Sequence, residues 1–282
     1  MRLADEPVQV NIICATYNHE KYIKDALDGF LMQKTSFKYT VLLHDDASTD
    51  KTTEIVREYA AKYPEIILPY YEQENQYSKH NGMINKIQSG RANAKYIAFC
   101  EGDDYWTDPN KLQKQFDAME ENPSIRICAH TASKVDSESK DVLGLVQPSK
   151  TNCVFSTEDV ILGGGGFVAS SSLFMRKDVY TMPMRFRQFL LLDYTLQMQG
   201  SIDAGMLYLA DNMSCYRIAS KGSWTESIRK SSDAFIQHAQ KVNKALRILN
   251  HETNRKYSAA IRKHIWDNRK LILKAKIGAI LK

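Results

Sequence analysis

Apolar runs rich in β-branched residues alternate with segments of helical periodicity through the first half of the chain. The run VQVNIICA at 8–15 has the length of a buried strand, and residues 20–33 then place apolar side chains every three to four positions, as in an amphipathic helix. The same reasoning predicts further strands at 39–44, 66–70 and 96–100 and, later in the chain, at 170–176 and 206–209. Such alternation favours an α/β fold with a mainly parallel sheet, which binds ligands beyond the carboxyl ends of its strands.

The loop after the 96–100 strand carries the densest group of acids. Glu101, Asp103 and Asp104 lie within four positions, so they repel one another unless a cation or hydrogen-bond donors neutralise them. Oxygen ligands of this kind suit Mg²⁺ or Mn²⁺, which keep positions open for water and substrate phosphates. A solvated acidic turn before a helix start at Asp108 is the alternative.

A second acidic loop begins with Asp45 and Asp46, at the end of the 39–44 strand. Capping of the next helix explains Asp50 without any ligand. For the tandem pair itself, a hydrogen-bonded structural turn and a binding role both remain open.

Three motifs occur in a fixed order: ATYNHEKYIKDAL at 15–27, VLLHDDASTDKT at 41–52 and YIAFCEGDDYW at 96–106. Together they resemble glycosyltransferase family 2, the inverting enzymes of the GT-A fold, in particular members that build bacterial surface polysaccharides. The similarity is close over 10–123. It implies a Rossmann-like, mainly parallel central sheet flanked by helices, here with a helical C-terminal extension.

The resemblance also implies roles for single residues. In the first two loops, the nucleotide-sugar ligands that we assign are Thr16, Tyr17, Asn18, Glu20 and the base-contacting acid, Asp45 or Asp46. Asp103 would bind metal and diphosphate, with Asp104 beside it as a second metal residue. Many relatives have Asp where this chain has Glu101, which leaves the role of that acid open.

The family places a catalytic carboxylate beyond the acceptor-side loops, and Asp193 in LLLDYTLQM is our candidate. Leu192 stands where many relatives have Glu. An acid among leucines should be partly desolvated, which raises a carboxyl pKa and suits a base that removes a proton from a sugar hydroxyl. A simple helix N-cap is the alternative.

The late segment CYRIASKGSW at 215–224 resembles a family stretch that often reads Tyr-Arg-x-His and closes over the diphosphate. Ala219 stands at the His position. We therefore expect Arg217 or Lys221 to neutralise phosphate charge, although Lys221 could equally belong to an exposed basic loop.

The charge of the chain is divided unevenly. Residues 255–282 carry a local charge of +8, which leaves −3 for the rest of the chain. That division argues against a nucleic-acid-binding domain and predicts no nucleic-acid partner. Apolar residues alternate with Lys and Arg in this segment, so it could lie on an anionic membrane surface as an amphipathic helix, or pack on the catalytic domain with a solvated basic face.

Cysteines and hydropathy bear on location. The five cysteines are scattered and form no CxxC pair, which fits a reducing cytoplasm. We find no apolar run of the roughly 20 residues that a membrane span needs, so any membrane contact would be peripheral, at the inner face of the cell membrane.

These observations predict a metal-dependent transferase that moves a hexosyl or N-acetylhexosaminyl group, with inversion, from a UDP-sugar to a saccharide hydroxyl. A polyprenyl-diphosphate-linked acceptor becomes attractive if the tail lies on a membrane. We expect a donor-binding half at 1–128, an acceptor-side half at 129–230 and a basic helical extension at 231–282.

Three other functions were weighed. A nucleotidyltransferase would normally have a glycine-rich phosphate loop after the first strand, and 16–21 contains no glycine. A receiver-type signalling domain is less than half this length. A catalytically silent relative that only binds a partner remains an alternative because of Leu192 and Ala219.

Overall fold

The computed structural model describes residues 6–79, 81–189, 192–218 and 232–280. The strands within these ranges are β1 (Val8–Thr16), β2 (Lys38–Asp45), β3 (Ile67–Tyr71), β4 (Tyr96–Phe99), β5 (Tyr105–Trp106), β6 (Ile127–Asp136), β7 (Val142–Val146), β8 (Cys153–Phe155), β9 (Phe174–Arg176) and β10 (Met206–Ile218). The α-helices are α1 (Ile23–Leu31), α2 (Thr52–Lys62), α3 (Met83–Arg91), α4 (Lys111–Glu121), α5 (Thr157–Gly163), α6 (Lys177–Thr181), α7 (Leu192–Ser201), α8 (Ser232–Glu252) and α9 (Ser258–Ile280).

One sheet of ten strands runs through the described part of the molecule. Eight of them follow the order β3-β2-β1-β4-β9-β6-β10-β5, while β7 pairs with β6 and β8 pairs with β10. The β3-β2-β1-β4 part is wholly parallel, and β6 and β10 are also parallel to each other. Strand β9 is antiparallel to both of its neighbours, β4 and β6. The predicted α/β fold with a mainly parallel sheet is confirmed.

Side-chain alternation along β1 explains why both faces of the sheet are covered. Val10, Ile12 and Cys14 pack on one face with α1, α2 and α4, whereas Ile13 faces the core that includes α5 to α9. Successive strand residues point to opposite faces, so a strand covered on both sides must be apolar almost throughout. This is why the first strand reads as a continuous apolar run.

Two predicted strands differ from the structure. The strand expected at 206–209 continues to Ile218, because β10 shifts register twice against β6 and passes the polar residues Asp211 and Asn212. Those residues interrupt the apolar pattern without ending the strand. Residues 170–172, expected to be extended, form a 3-10 turn, and only Phe174–Arg176 pairs in the sheet.

The helical extension packs on the same core. Val242, Leu246 and Leu249 of α8 and Ile261 of α9 are buried with residues of the sheet. The sheet is continuous from the first half into the second, so the division at 128 and 230 stays a functional proposal. Among the described residues, no helix is long and apolar enough to cross a bilayer.

Candidate functional site

Three loops meet at the carboxyl ends of the central parallel strands. Thr16 at the end of β1 lies opposite Asp45 at the end of β2, and the Asp46 N–H donates to the Thr16 carbonyl (3.0 Å). The Gly102 N–H donates to the Ala15 carbonyl (2.9 Å), which ties the loop after β4 to the same point. The structure thus brings the two acidic loops and the β1 loop together, where an open α/β sheet binds its ligands.

Gly102 allows this close approach. A Cβ atom at this position would lie 2.7 Å from Thr16 Oγ1 and 3.0 Å from His19 Nδ1. These distances are too short for a side chain, so only glycine lets the acidic loop pack directly on the β1 loop. The sequence analysis did not assign Gly102, although a glycine between Glu101 and Asp103 was a visible signal.

The acids at 101–104 form a cluster in which negative charges oppose one another. Glu101 keeps contact with solvent, but desolvation followed by repulsion from Asp103 and then Asp193 raises its pKa to about 8. Desolvation and the negative charge of Asp103 also raise the pKa of Asp104 well above its ordinary value. Burial and like charges both disfavour ionised carboxyls, so the cluster favours the approach of a cation.

The donor set fits a divalent ion. No three His, Cys, Asp or Glu side chains converge as a complete metal site within the described ranges. A complete set is not required, because Mg²⁺ and related ions are often held by one or two carboxylates plus substrate phosphates. The mutual repulsion of Glu101, Asp103 and Asp104 is the observation that fits such an ion.

Asp104 also joins the cluster to the last strand. Its side chain is buried, and its Oδ1 accepts a hydrogen bond from the Arg217 backbone N–H (2.9 Å). Arg217 Nη1 in turn donates to the backbone carbonyl of Asp103 (2.5 Å). The end of β10 therefore fixes the position of the acidic loop.

The sequence predicts that the Arg217 guanidinium group binds phosphate, and in the structure this group contacts protein side chains. It is buried, forms an ion pair with Asp25 of α1, and lies between the rings of Tyr22 (5.0 Å) and Tyr105 (4.5 Å). The sequence analysis missed Asp25, which is separated from Arg217 by most of the chain. Binding of donor phosphate by Arg217 stays a prediction.

The carboxylate of Asp45 is occupied by protein donors. Its Oδ1 accepts from the backbone N–H (3.1 Å) and hydroxyl (2.5 Å) of Ser48, and its Oδ2 accepts from the Thr53 hydroxyl. Because the side chain is buried, these bonds hold the β2–α2 loop in shape.

Asp46 holds the next loop along the sheet. Its Oδ1 accepts from the Gln76 N–H (2.7 Å) and its Oδ2 from the Tyr77 N–H (2.9 Å). Tyr77 is 54% exposed, and desolvation and the charge of Glu101 raise the pKa of its hydroxyl. Tyr77 therefore lies near the acidic cluster, a position that no local pattern in the sequence indicated.

Asn18 and Glu20 connect the β1 and β2 loops. Asn18 adopts a left-handed conformation (φ 55°) and its Oδ1 accepts from the Thr49 N–H (2.8 Å). Glu20 Oε2 accepts from the Lys51 N–H (3.1 Å), and the Glu20 N–H donates to Asp50 (3.1 Å). These hydrogen bonds hold together the two loops that border the site. Direct nucleotide contact by either residue stays a prediction.

Thr16 and Tyr17 occupy different environments. Thr16 is buried, with its Oγ1 3.2 Å from His19 Nδ1, whereas Tyr17 is 41% exposed beside the acidic loops. Of the two, Tyr17 presents the ring surface on which a nucleobase could stack.

Asp193 lies in the first turn of α7. Burial raises the pKa of its carboxyl above the ordinary value, and a hydrogen bond from the Tyr194 N–H (2.7 Å) acts in the opposite direction. The negative charge of Asp193 contributes to the raised pKa of Glu101. The structure therefore places this predicted base near the acidic cluster. Ala219 and Lys221 lie outside the described residues.

This mixed α/β fold, with its mainly parallel sheet flanked by helices, is of the GT-A type. The chain matches the model of Glycosyl transferase family 2 over residues 11–181, and it belongs to that family.

Two relatives illustrate the similarity in sequence. A protein of Mycobacterium tuberculosis, Uncharacterized protein Rv1520, is 33% identical over 76% of this chain and 60% of its own length. TuaG of Bacillus subtilis, which is named for a glycosyltransferase of teichuronic acid biosynthesis, is 36% identical over 43% of this chain and 44% of its own. The chain thus spans less than two thirds of the length of these relatives.

Two solved structures share the fold. Staphylococcus aureus TarS in complex with UDP-GlcNAc superimposes with a TM-score of 0.59 at 17% identity, over 89% of this chain and 73% of the other. The mannosyltransferase PcManGT from Pyrobaculum calidifontis, in complex with GDP-Man and Mn²⁺, gives 0.57 at 16% identity, over 98% and 80%.

Proposed function

We propose that this member of the family is a glycosyltransferase that moves a hexosyl or N-acetylhexosaminyl group from a UDP-sugar to a saccharide hydroxyl, with inversion at the anomeric carbon. The observation that carries the proposal is the repelling cluster of Glu101, Asp103 and Asp104, with Asp193 in electrostatic range. A displacement with inversion needs charge stabilisation on the leaving side and a base on the acceptor side. The cluster and Asp193 supply these two chemistries.

Asp103, with Asp104 beside it, would hold Mn²⁺ or Mg²⁺, and the ion would supply positive charge to the departing nucleoside diphosphate. Asp193 removes the proton of the acceptor hydroxyl as the new bond forms. Its raised pKa strengthens it as a proton acceptor. The β1 and β2 loops orient the nucleotide, with Tyr17 against the base and Asp45 or Asp46 at its edge.

The donor assignment is supported by the UDP-GlcNAc complex of TarS, with GDP-mannose, as in PcManGT, as the competing donor class. The name of TuaG supports a role in surface-polysaccharide synthesis. All five cysteines are unpaired, which supports a cytoplasmic location.

A panel of nucleotide sugars with Mn²⁺ or Mg²⁺ tests this function by release of nucleoside diphosphate. We expect metal-dependent release from one UDP-sugar, and its loss in Asp103→Ala. Silence across the panel, together with no UDP binding by calorimetry, would refute the proposal and favour a protein that only binds a partner.

Helix α9 is proposed to contact an anionic membrane, so that residues 255–282 bring the enzyme to a lipid-linked acceptor. Its inner face is buried at Ile261, while Trp266, Leu273 and Ile277 are 58%, 59% and 49% exposed among exposed lysines and arginines. Apolar side chains that alternate with cations fit a surface of anionic headgroups.

Vesicle sedimentation tests this contact. The full chain should sediment with vesicles containing phosphatidylglycerol but not with pure phosphatidylcholine, and Trp266→Ser with Leu273→Ser should reduce the bound fraction. Equal sedimentation with both kinds of vesicle would exclude an electrostatic contact.

A further inference from the structure

A polar cavity of about 300 Å³ lies beside the acidic loop. Its walls come from the start of α1, the turn between β6 and β7, and the end of β10. The lining residues are Lys21, Tyr22, Ser137, Glu138, Lys140 and Arg217. In the sheet order, β6 and β10 lie on the opposite side of β4 from β2 and β3, whose loops resemble the nucleotide pocket.

Hydrogen-bond donors exceed acceptors in this cavity. Asp25 beneath it is shared between Arg217 and Lys140, whose Nζ lies 2.8 Å from the carboxylate. Lys21 and Glu138 are 3.8 Å apart and their side chains are 69% and 80% exposed, so this pair holds Lys21 only weakly. Among the described residues, three cations therefore face two carboxylates around the cavity.

One buried donor has no acceptor. The Arg217 side chain is fully buried and lines the cavity, yet within the described part of the chain its Nε has no hydrogen-bond partner. The guanidinium carbon lies over the rings of Tyr22 and Tyr105, and these contacts help to fix its position. An unpaired buried N–H is costly, and it indicates an acceptor that binds there.

We propose that this cavity binds a compact oxyanion, a phosphate or carboxylate group of the acceptor, through Arg217 Nε, Lys21 and Lys140. The inference rests on the proposed function. A planar, fixed guanidinium beside two exposed ammonium groups matches the geometry and charge of such a group. Arg217 Nη1 meanwhile holds the Asp103 carbonyl, so an anion bound here would lie one side chain away from the acidic loop.

The location favours the acceptor over the donor as the source of the anion. Of the six described lining residues, Ser137, Glu138, Lys140 and Arg217 belong to the proposed acceptor half at 129–230, and Lys21 and Tyr22 belong to the β1 loop. The cavity also adjoins β6 and β10, which belong to the proposed acceptor half.

Calorimetric titration of the full chain with inorganic phosphate and with glucuronate tests the site without turnover. The test variant is Lys21→Ala with Lys140→Ala, and the matched control is Lys95→Ala with Lys256→Ala, which removes two exposed, ion-paired lysines elsewhere. We expect saturable binding in the unmodified chain and the control, and at least about tenfold weaker binding, about 1.4 kcal/mol, in the test variant. Binding of phosphate alone or glucuronate alone identifies the group.

Equal affinities in the test and control variants, or no saturable binding at roughly 10 mM of either anion, would overturn the inference. A parallel loss of Mn²⁺-dependent UDP affinity in the test variant would assign the cavity to the donor and overturn the acceptor assignment. Turnover without anion binding refutes this inference alone, whereas anion binding without any donor use refutes only the proposed function.

Discussion

Two acidic loops lie at the same edge of the sheet, and their carboxyl groups are in opposite electrostatic environments. Asp45 and Asp46 are buried, and all four of their oxygens accept hydrogen bonds from the neighbouring loops. In the other loop, Glu101 and Asp104 have raised pKa values because they are desolvated and lie near further negative charge. Hydrogen bonds hold the first loop in place, whereas the second has the unbalanced negative charge on which the proposed chemistry depends.

The two loops differ because more hydrogen-bond donors surround the carboxylates of the first. Hydroxyl and backbone N–H groups of Ser48, Thr53, Gln76 and Tyr77 point at the first pair. For Asp104 the described donor is a single backbone N–H, that of Arg217. A carboxylate supplied with donors is stable when ionised, while a cluster of acids needs a cation.

The largest effect on activity is expected from Asp103→Asn. Loss of this carboxylate should lower kcat/KM about 10³-fold, the several kcal/mol that a metal ion's charge supplies. The Tm should stay the same or rise, because one of the repelling charges is gone. Nucleoside diphosphate release and calorimetric unfolding measure the two quantities. A large fall in Tm would give Asp103 the same structural role as Asp45.

Asp193→Asn tests whether the proposed base acts on turnover without affecting binding of the leaving group. Removal of a general base should lower kcat about 10²-fold or more, while Mn²⁺-dependent UDP affinity stays within about twofold. Turnover and UDP calorimetry on the same preparation test this. Unchanged kcat would leave Asp193 as an N-terminal residue of α7 and nothing more.

Local patterns were sufficient to predict the fold class and the edge that holds the site. Strands β1, β2 and β4 read as apolar runs because both faces of the sheet are covered, and parallel strands bring their carboxyl ends together. The position of the acidic loops followed from these two facts.

Partners from distant segments could not be predicted. Nothing in the sequence indicated that the N–H groups of Gln76 and Tyr77 donate to Asp46, or that Arg217 pairs with Asp25. Local periodicity carries no information on such contacts, because they are set by how the loops and strands pack.

Asp45→Ala tests the stabilising loop. It removes a buried acceptor from Ser48 and Thr53, and the free energy of unfolding should fall by about 2 to 4 kcal/mol. Asp267→Ala, at an exposed helical acid paired with Lys270, is the control and should change it by less than about 1 kcal/mol. Urea denaturation measures both, and similar small changes would mean that the Asp45 hydrogen bonds do not stabilise the loop.

The comparison extends to a buried charge of the opposite sign. Lys111 of α4 is fully buried with its ammonium 3.7 Å from the centre of the Trp106 ring, and desolvation lowers its pKa from 10.5 to about 7. Between these two pH values the unfolded chain holds a proton that the folded chain has released. Lys111 therefore makes stability rise with pH across this range, by at most about 1.4 kcal/mol per unit.

Lys111→Met should abolish that rise while keeping similar volume. The gain in free energy of unfolding over the unmodified chain should be greatest below pH 7 and shrink towards pH 10. The loss of the cation–π contact with Trp106 reduces this gain. Urea midpoints at three pH values across this range test the slope. Parallel curves for the two proteins would mean that Lys111 stays protonated in the fold, with the indole ring compensating its buried charge much as the donor groups around Asp45 compensate that carboxylate.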